Sequence, residues 1–173
     1  MPFTPRLNTD GMSGSRYWYS NTNPYEAAGV GLPNCTCYAW GRFWEINNQF
    51  GHDETPLGML GNAVDWYNNS VAYEHGMTPK LGAVACFAGG AIGTGHVAVV
   101  EQINPDGSIV TSNSDYGGTY FYLMTLNPPY SSGSLTFQGF IYNPYSDTPT
   151  PTPSGKRSHF PWFILQRKRL GLR

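Results

Sequence analysis

A chain of 173 residues and 19.1 kDa is long enough for one domain with a real core, or one domain with an appendage. Its residues are 40% apolar, 15% aromatic and only 12% charged, about half the usual charged share, which argues against a disordered chain. No run of 18 apolar residues is present and the net charge is −1, so neither a membrane-spanning helix nor a nucleic-acid partner is expected.

In chain order, residues 1–33 are rich in Asn, Gly, Tyr and Ser and read as irregular. Pro33-Asn34 ends that stretch. A helix is predicted from Cys35 to about Gln49, with Asn34 as N-cap, Tyr38, Ala39, Phe43, Trp44 and Ile46 on the apolar face, and Gly51 as stop. A shorter helix is predicted over Asn62–Tyr67, carrying Ala63, Val64 and Trp66. Strands follow at Gly82–Phe87, Gly95–Ile103, Ser108–Ser114, Tyr120–Leu126 and Phe137–Tyr142, joined by short Gly- or Pro-containing connections. Helices first and a strand meander after predict an α+β fold on an antiparallel sheet. Asp147–Gly155 reads as a Pro/Thr linker. Domain organisation is then 1–146 for the folded body, 147–155 for the linker and 156–173 for a tail.

The near-neutral charge conceals two opposed parts. Residues 1–155 hold four basic and eleven acidic groups, a balance of −7; residues 156–173 hold six basic groups and no acid. The tail mixes these cations with Phe160, Trp162 and Phe163, which suits an anionic wall polymer or membrane surface, a solvated end, or docking and self-association. The N-terminus lacks a basic start followed by an apolar run, so no secretory signal is expected.

Three cysteines, Cys35, Cys37 and Cys86, argue against a full disulfide framework. Cys35 sits where a loop enters a helix, and the amides there stabilise a thiolate or a developing oxyanion. A nucleophilic cysteine also needs a base. His52, His75 and His159 lie in polar, loop-like or linker-adjacent stretches and read as solvated. His96 differs, because it opens an apolar strand behind Gly95, a residue that permits close approach of another chain or a ligand. Asn104-Pro105-Asp106-Gly107 turns this strand into a hairpin. If that turn adds no bulge, Asp115 falls opposite His96 and Asn113 opposite Ala98, diagonal to His96; a one-residue bulge flips the face. Cys, His and an amide or carboxylate form a papain-type nucleophile arrangement. By alternation Glu101 points to the opposite face and receives no role.

These residues resemble a known family. Asn34-Cys35-Thr36-Cys37-Tyr38-Ala39-Trp40-Gly41-Arg42 is similar to the cysteine motif of the CHAP domain, the cysteine- and histidine-dependent amidohydrolase/peptidase. Gly61–Trp66, Pro79–Ala85, Gly95–Glu101 and Ser112–Tyr116 resemble the family's later segments in the same order, over residues 20–144. The resemblance implies a papain-like α+β fold and hydrolysis of amide bonds in the peptides of peptidoglycan, by amidase or endopeptidase cleavage. It implies Cys35 as nucleophile, His96 as base and acid, and Asn113 as orienter, with Asp115 as support or substitute. The family often has Glu and then Asn where this chain has Asn113 and Asp115. Cys37 and Cys86 are expected to pack. Some members bind calcium through an Asp-rich loop before the cysteine, but Ser20–Tyr25 has no carboxylate, so no cofactor is expected and calcium is the less favoured alternative. The setting implied is a monomeric phage endolysin, made in the host cytoplasm and reaching the wall after holin-type release. The alternatives are a non-catalytic wall-peptide binding module and a cysteine amidase for a soluble substrate. Trp66, Tyr116 and Tyr38 are expected either in the core or along the groove wall.

Overall fold

The structure, a computed structural model, describes residues 2–146. The linker, the basic tail and His159 lie outside the described residues. Four helices come first: α1 (Arg16–Tyr19), α2 (Pro24–Ala27), α3 (Cys35–Gln49) and α4 (Ala63–Asn69). Six strands follow: β1 (His75–Gly76), β2 (Val84–Gly89), β3 (His96–Ile103), β4 (Ile109–Asn113), β5 (Tyr122–Leu126) and β6 (Leu135–Ile141). They form one antiparallel sheet in the order β1-β6-β2-β3-β4-β5. The α+β class read from the sequence is what the chain adopts. The meander holds for β2 through β5; β6 then returns along β2, which buries β2 between two neighbours. The stretch read as irregular contains α1 and α2, each of four residues and too short to show a helical period.

The central helix α3 has the predicted limits because both ends are chemically specified. Asn34 Oδ1 accepts from the Thr36 N–H at 3.0 Å, satisfying an amide that the helix cannot pair. At the other end Gly51 has φ +85°, and the Gly51 and His52 amides donate to the Asn48 and Asn47 carbonyls in the Schellman pattern. The sheet packs α3 against one face, with Val84, Cys86, Val97, Val99 and Ile141 meeting Tyr38, Ala39, Phe43 and Ile46. The alternate residues Ala83, Ala85, Phe87, Ala98, Val100 and Phe140 form a second cluster on the other face, closed by Ile109, Leu126 and Tyr130. Cys37 and Cys86 are both fully buried in the first cluster, as expected of packing residues.

The β3–β4 hairpin corrects the register argument. The turn does add a residue: Asn104 N–H donates to Ser108 C=O at 2.8 Å, so Pro105, Asp106 and Gly107 form a three-residue loop, with Gly107 at φ +83°. Next to it Ile103 pairs with Ile109 and Gln102 with Val110. Beyond Glu101 the register shifts, and Val100 pairs with Thr111 and Val99 with Ser112. Two irregularities therefore cancel. The strand ends near His96 stand in the register that a bulge-free turn would have produced, and Asn113 shares a face with Ala98 and His96.

Candidate active site

Cys35 is the first residue of α3, and the loop before it is tied to the end of β4. Asn34 N–H donates to Ser114 Oγ at 3.1 Å, and Gly117 N–H donates to the Pro33 carbonyl at 3.2 Å. Asn23, fully buried, caps α2 and donates its amide to the Tyr17 and Cys37 carbonyls. The first turn of α3 is thus fixed from both sides. This use of Asn23, with no carboxylate in Ser20–Tyr25, means that the segment does not fit a calcium ion. Among the described residues no three His, Cys, Asp or Glu side chains are grouped as metal ligands.

His96 opens β3 and pairs across β2 with Phe87. Its Nε2 lies 3.0 Å from Asn113 Oδ1. The Asn113 amide nitrogen donates to Thr111 C=O and Thr111 Oγ1, both at 3.0 Å, which fixes the side chain with its oxygen toward the ring. That oxygen can only accept, so Nε2 carries the proton and Nδ1 is the basic nitrogen. Asp115 does not bind the imidazole directly. It lies past the end of β4, where its carboxylate accepts from Tyr122 OH at 2.8 Å, and it acts on His96 and Cys35 through its charge.

Burial pushes the Cys35 thiol above the ordinary cysteine value, opposed by the backbone N–H groups of Val97, Thr36 and Cys35 itself. Burial also pushes His96 below the ordinary imidazole value, opposed by the Asn113 hydrogen bond and the Asp115 charge. Both shifts favour the neutral thiol of Cys35 and the neutral imidazole of His96. Cys37 is pushed up to about 12 by burial, which leaves it a poor nucleophile.

A groove of about 340 Å³ opens in front of Cys35. Asn34, Cys35 and Thr36 form its floor, and Thr94 and Gly95, just before His96, form one wall. Tyr25, Gly61, Asn62 and Ala63 complete the enclosure. Tyr116, 73% exposed, and Ile92, 80% exposed, stand at the rim with Val30. Of the aromatics singled out from the sequence, Tyr116 belongs to the groove, whereas Tyr38 and Trp66 are fully buried. The close approach expected at Gly95 is made by α4: Val64 N–H donates to Thr94 C=O at 2.9 Å, and a Cβ on Gly95 would stand 2.7 Å from Val64 N and 2.4 Å from Phe87 O. His52 stacks on Tyr145 at 3.7 Å, and His75 sits in β1, so neither joins the site.

Glu101 points to the face opposite His96, as alternation predicts, and there it has a structural role that the sequence did not assign. Glu101 is 1% exposed and forms an ion pair with Arg42 of α3, itself 1% exposed, at 2.8 Å. Arg6 N–H and Ser112 Oγ also donate to it, each at 2.7 Å, and Glu45 bridges Arg6 and Arg42. The signal was present: one cation in an apolar helix and one anion in an apolar strand each need a partner if both elements are buried.

The profile of the CHAP domain family matches residues 18–115. A probable autolysin LDP of Staphylococcus aureus is 38% identical over 87 residues, covering 49% of this chain and 28% of that protein. An N-acetylmuramoyl-L-alanine amidase domain-containing protein of the same species is 40% identical over 90 residues, covering 49% of this chain and 14% of that protein. A crystal structure of an N-acetylmuramoyl-L-alanine amidase from Staphylococcus aureus superposes with a TM-score of 0.47 and 34% identity, covering 62% of this chain and 30% of that one. This chain thus spans well under a third of the length of the two curated relatives. The profile match takes in more than half of the chain, from α1 through α3 to the turn after β4, and the chain belongs to the CHAP domain family.

Proposed function

We propose that this chain hydrolyses an amide bond in the peptide part of bacterial peptidoglycan, as an amidase or an endopeptidase, with Cys35 as nucleophile. The observation that carries the reading is the His96–Asn113 hydrogen bond of 3.0 Å beside a groove floored by Cys35. Asn113 holds Nε2–H, so Nδ1 is free to take the thiol proton as the sulfur attacks the acyl carbon. The amides at the start of α3 face the negative charge that develops on the carbonyl oxygen. The imidazolium then protonates the leaving amine. A water, deprotonated by the same nitrogen, releases the acid from the thioester. The Asp115 charge supports the transient imidazolium. The two directions, thiol raised and imidazole lowered, favour His96 as a general base during attack.

Among the described residues no charged side chain lines the groove, which suits a neutral peptide segment. The names of the relatives, an autolysin and an amidase-domain protein, support a wall substrate. The setting we propose is a phage endolysin meeting the wall after holin-type release, one of the phage and bacterial settings that the resemblance implies. The decisive experiment replaces Cys35→Ala. Clearing of purified walls should be lost with the unfolding midpoint unchanged, and retained clearing would overturn the mechanism.

A further inference from the structure

The hairpin that carries His96 and Asn113 has a phase problem, and Glu101 solves it. With the three-residue loop alone, the register Ile103↔Ile109 would run on through Glu101↔Thr111 to Val99↔Asn113. Asn113 would then project toward α3 with Val97 and Val99, away from His96. The extra residue between Val100 and Gln102 moves the far half of the ladder by one, and Asn113 reaches the imidazole.

A bulge leaves its extra residue outside the ladder and survives only where something holds it. Here the holder is a buried polar clamp. Arg42 binds both Glu101 oxygens, with Nε at 2.9 Å and Nη2 at 2.8 Å. Ser112 Oγ donates to the same carboxylate, and Ser112 immediately precedes Asn113. Arg6 N–H closes the second oxygen, which brings the N-terminal segment into the clamp. The hydroxyl of Tyr38, one turn after Cys35, is buried in the same place, beside Ser112, Glu101 and Arg42. The clamp therefore joins the helix that carries Cys35 to both strands that carry His96 and Asn113.

We propose that Glu101 is a positioning residue for the nucleophile site: clamped by Arg42 and Ser112, it fixes the β3 bulge that brings Asn113 onto the face of His96. The proposal rests on the reading of Cys35, His96 and Asn113 above, so its test includes a measurement that needs no turnover. Two variants of the full chain separate positioning from stability. Glu101→Gln keeps the shape and weakens the clamp. Arg42→Met combined with Glu101→Leu replaces the pair by apolar groups, a change that buried ion pairs often tolerate without loss of stability. In the folded variants the His96 Nε2–H proton signal should lose its protection from solvent exchange, and the imidazole should titrate at lower pH, as in Asn113→Ala. Wall clearing and alkylation of Cys35 by iodoacetamide should both slow by about tenfold, a fraction of the roughly 10²–10⁴ that a positioned base supplies. Added to Asn113→Ala, Glu101→Gln should slow alkylation no further, because both act through one contact. A stable Arg42→Met/Glu101→Leu protein with an unchanged Nε2–H signal would overturn the proposal, as would full additivity with Asn113→Ala. Were Cys35→Ala to retain clearing, the Cys35 mechanism would fail while the imidazole signal still decided the role of Glu101.

Discussion

At the scale of single residues, the site is defined by how little freedom each group has. Asn113 is 1% exposed and spends both amide protons on Thr111, so its oxygen has one direction left and His96 lies along it. The consequence for pH follows from the shifts. Burial holds the His96 imidazole below its ordinary value, so the neutral base persists into mildly acidic solution and activity is lost as pH falls through that depressed value. The groups that bear on the ring are Asn113 and Asp115, and both raise its affinity for the proton. Asn113→Ala should therefore move the acid limb of the rate profile to still lower pH while cutting the maximal rate by roughly tenfold to a hundredfold. A pH–rate series on wall clearing, compared between the two proteins, measures both effects. An acid limb that moved to higher pH would assign the hydrogen bond the wrong sign.

At the scale of elements, α3 was legible to the residue because its ends are local chemistry, an Asn cap and a Gly in the left-handed region. Strands β2 to β6 were located to within one or two residues for the same reason, since apolar runs between turn signals mark them, whereas the two-residue β1 was missed. Gly95 shows where local reading stops. From the sequence it signalled close approach without saying of what, and the structure supplies α4. Gly95→Ala combines a side chain at φ +75° with a Cβ 2.4 Å from the Phe87 carbonyl. It should cost at least about 1–3 kcal/mol in urea unfolding through backbone strain alone. It should also impair activity, because the residue displaced is the neighbour of His96. A neutral effect on both would mean that α4 gives way without consequence for the site.

At the scale of the whole molecule, the opposed charges of body and tail are the feature left to explain. Residues 1–155 carry −7 and would be repelled by anionic wall polymers, whereas the charged groups of residues 156–173 are all cations. We propose that the tail offsets that repulsion. Truncation after Ser154 should weaken binding to purified walls at low salt. The difference should shrink toward 0.15 M salt, where the Debye length falls to about 8 Å. Equal binding of both forms at low salt would make the tail irrelevant to the wall.

The sequence by itself determined the class of fold and the elements on which Cys35, His96 and Asn113 sit, because caps, turn residues and apolar periodicity are properties of neighbours along the chain. It also framed the register question correctly, in that Asn113 meets His96 only if the far end of the hairpin keeps the bulge-free phase. Tertiary structure alone decided that two irregularities cancel, since the second is held by Arg42 from another element. It alone decided that Tyr116 lines the groove while Tyr38 and Trp66 do not, and that β6 returns beside β2. Those outcomes depend on which distant surfaces exclude water together. A buried carboxylate finds its guanidinium through that packing, 59 residues away along the chain.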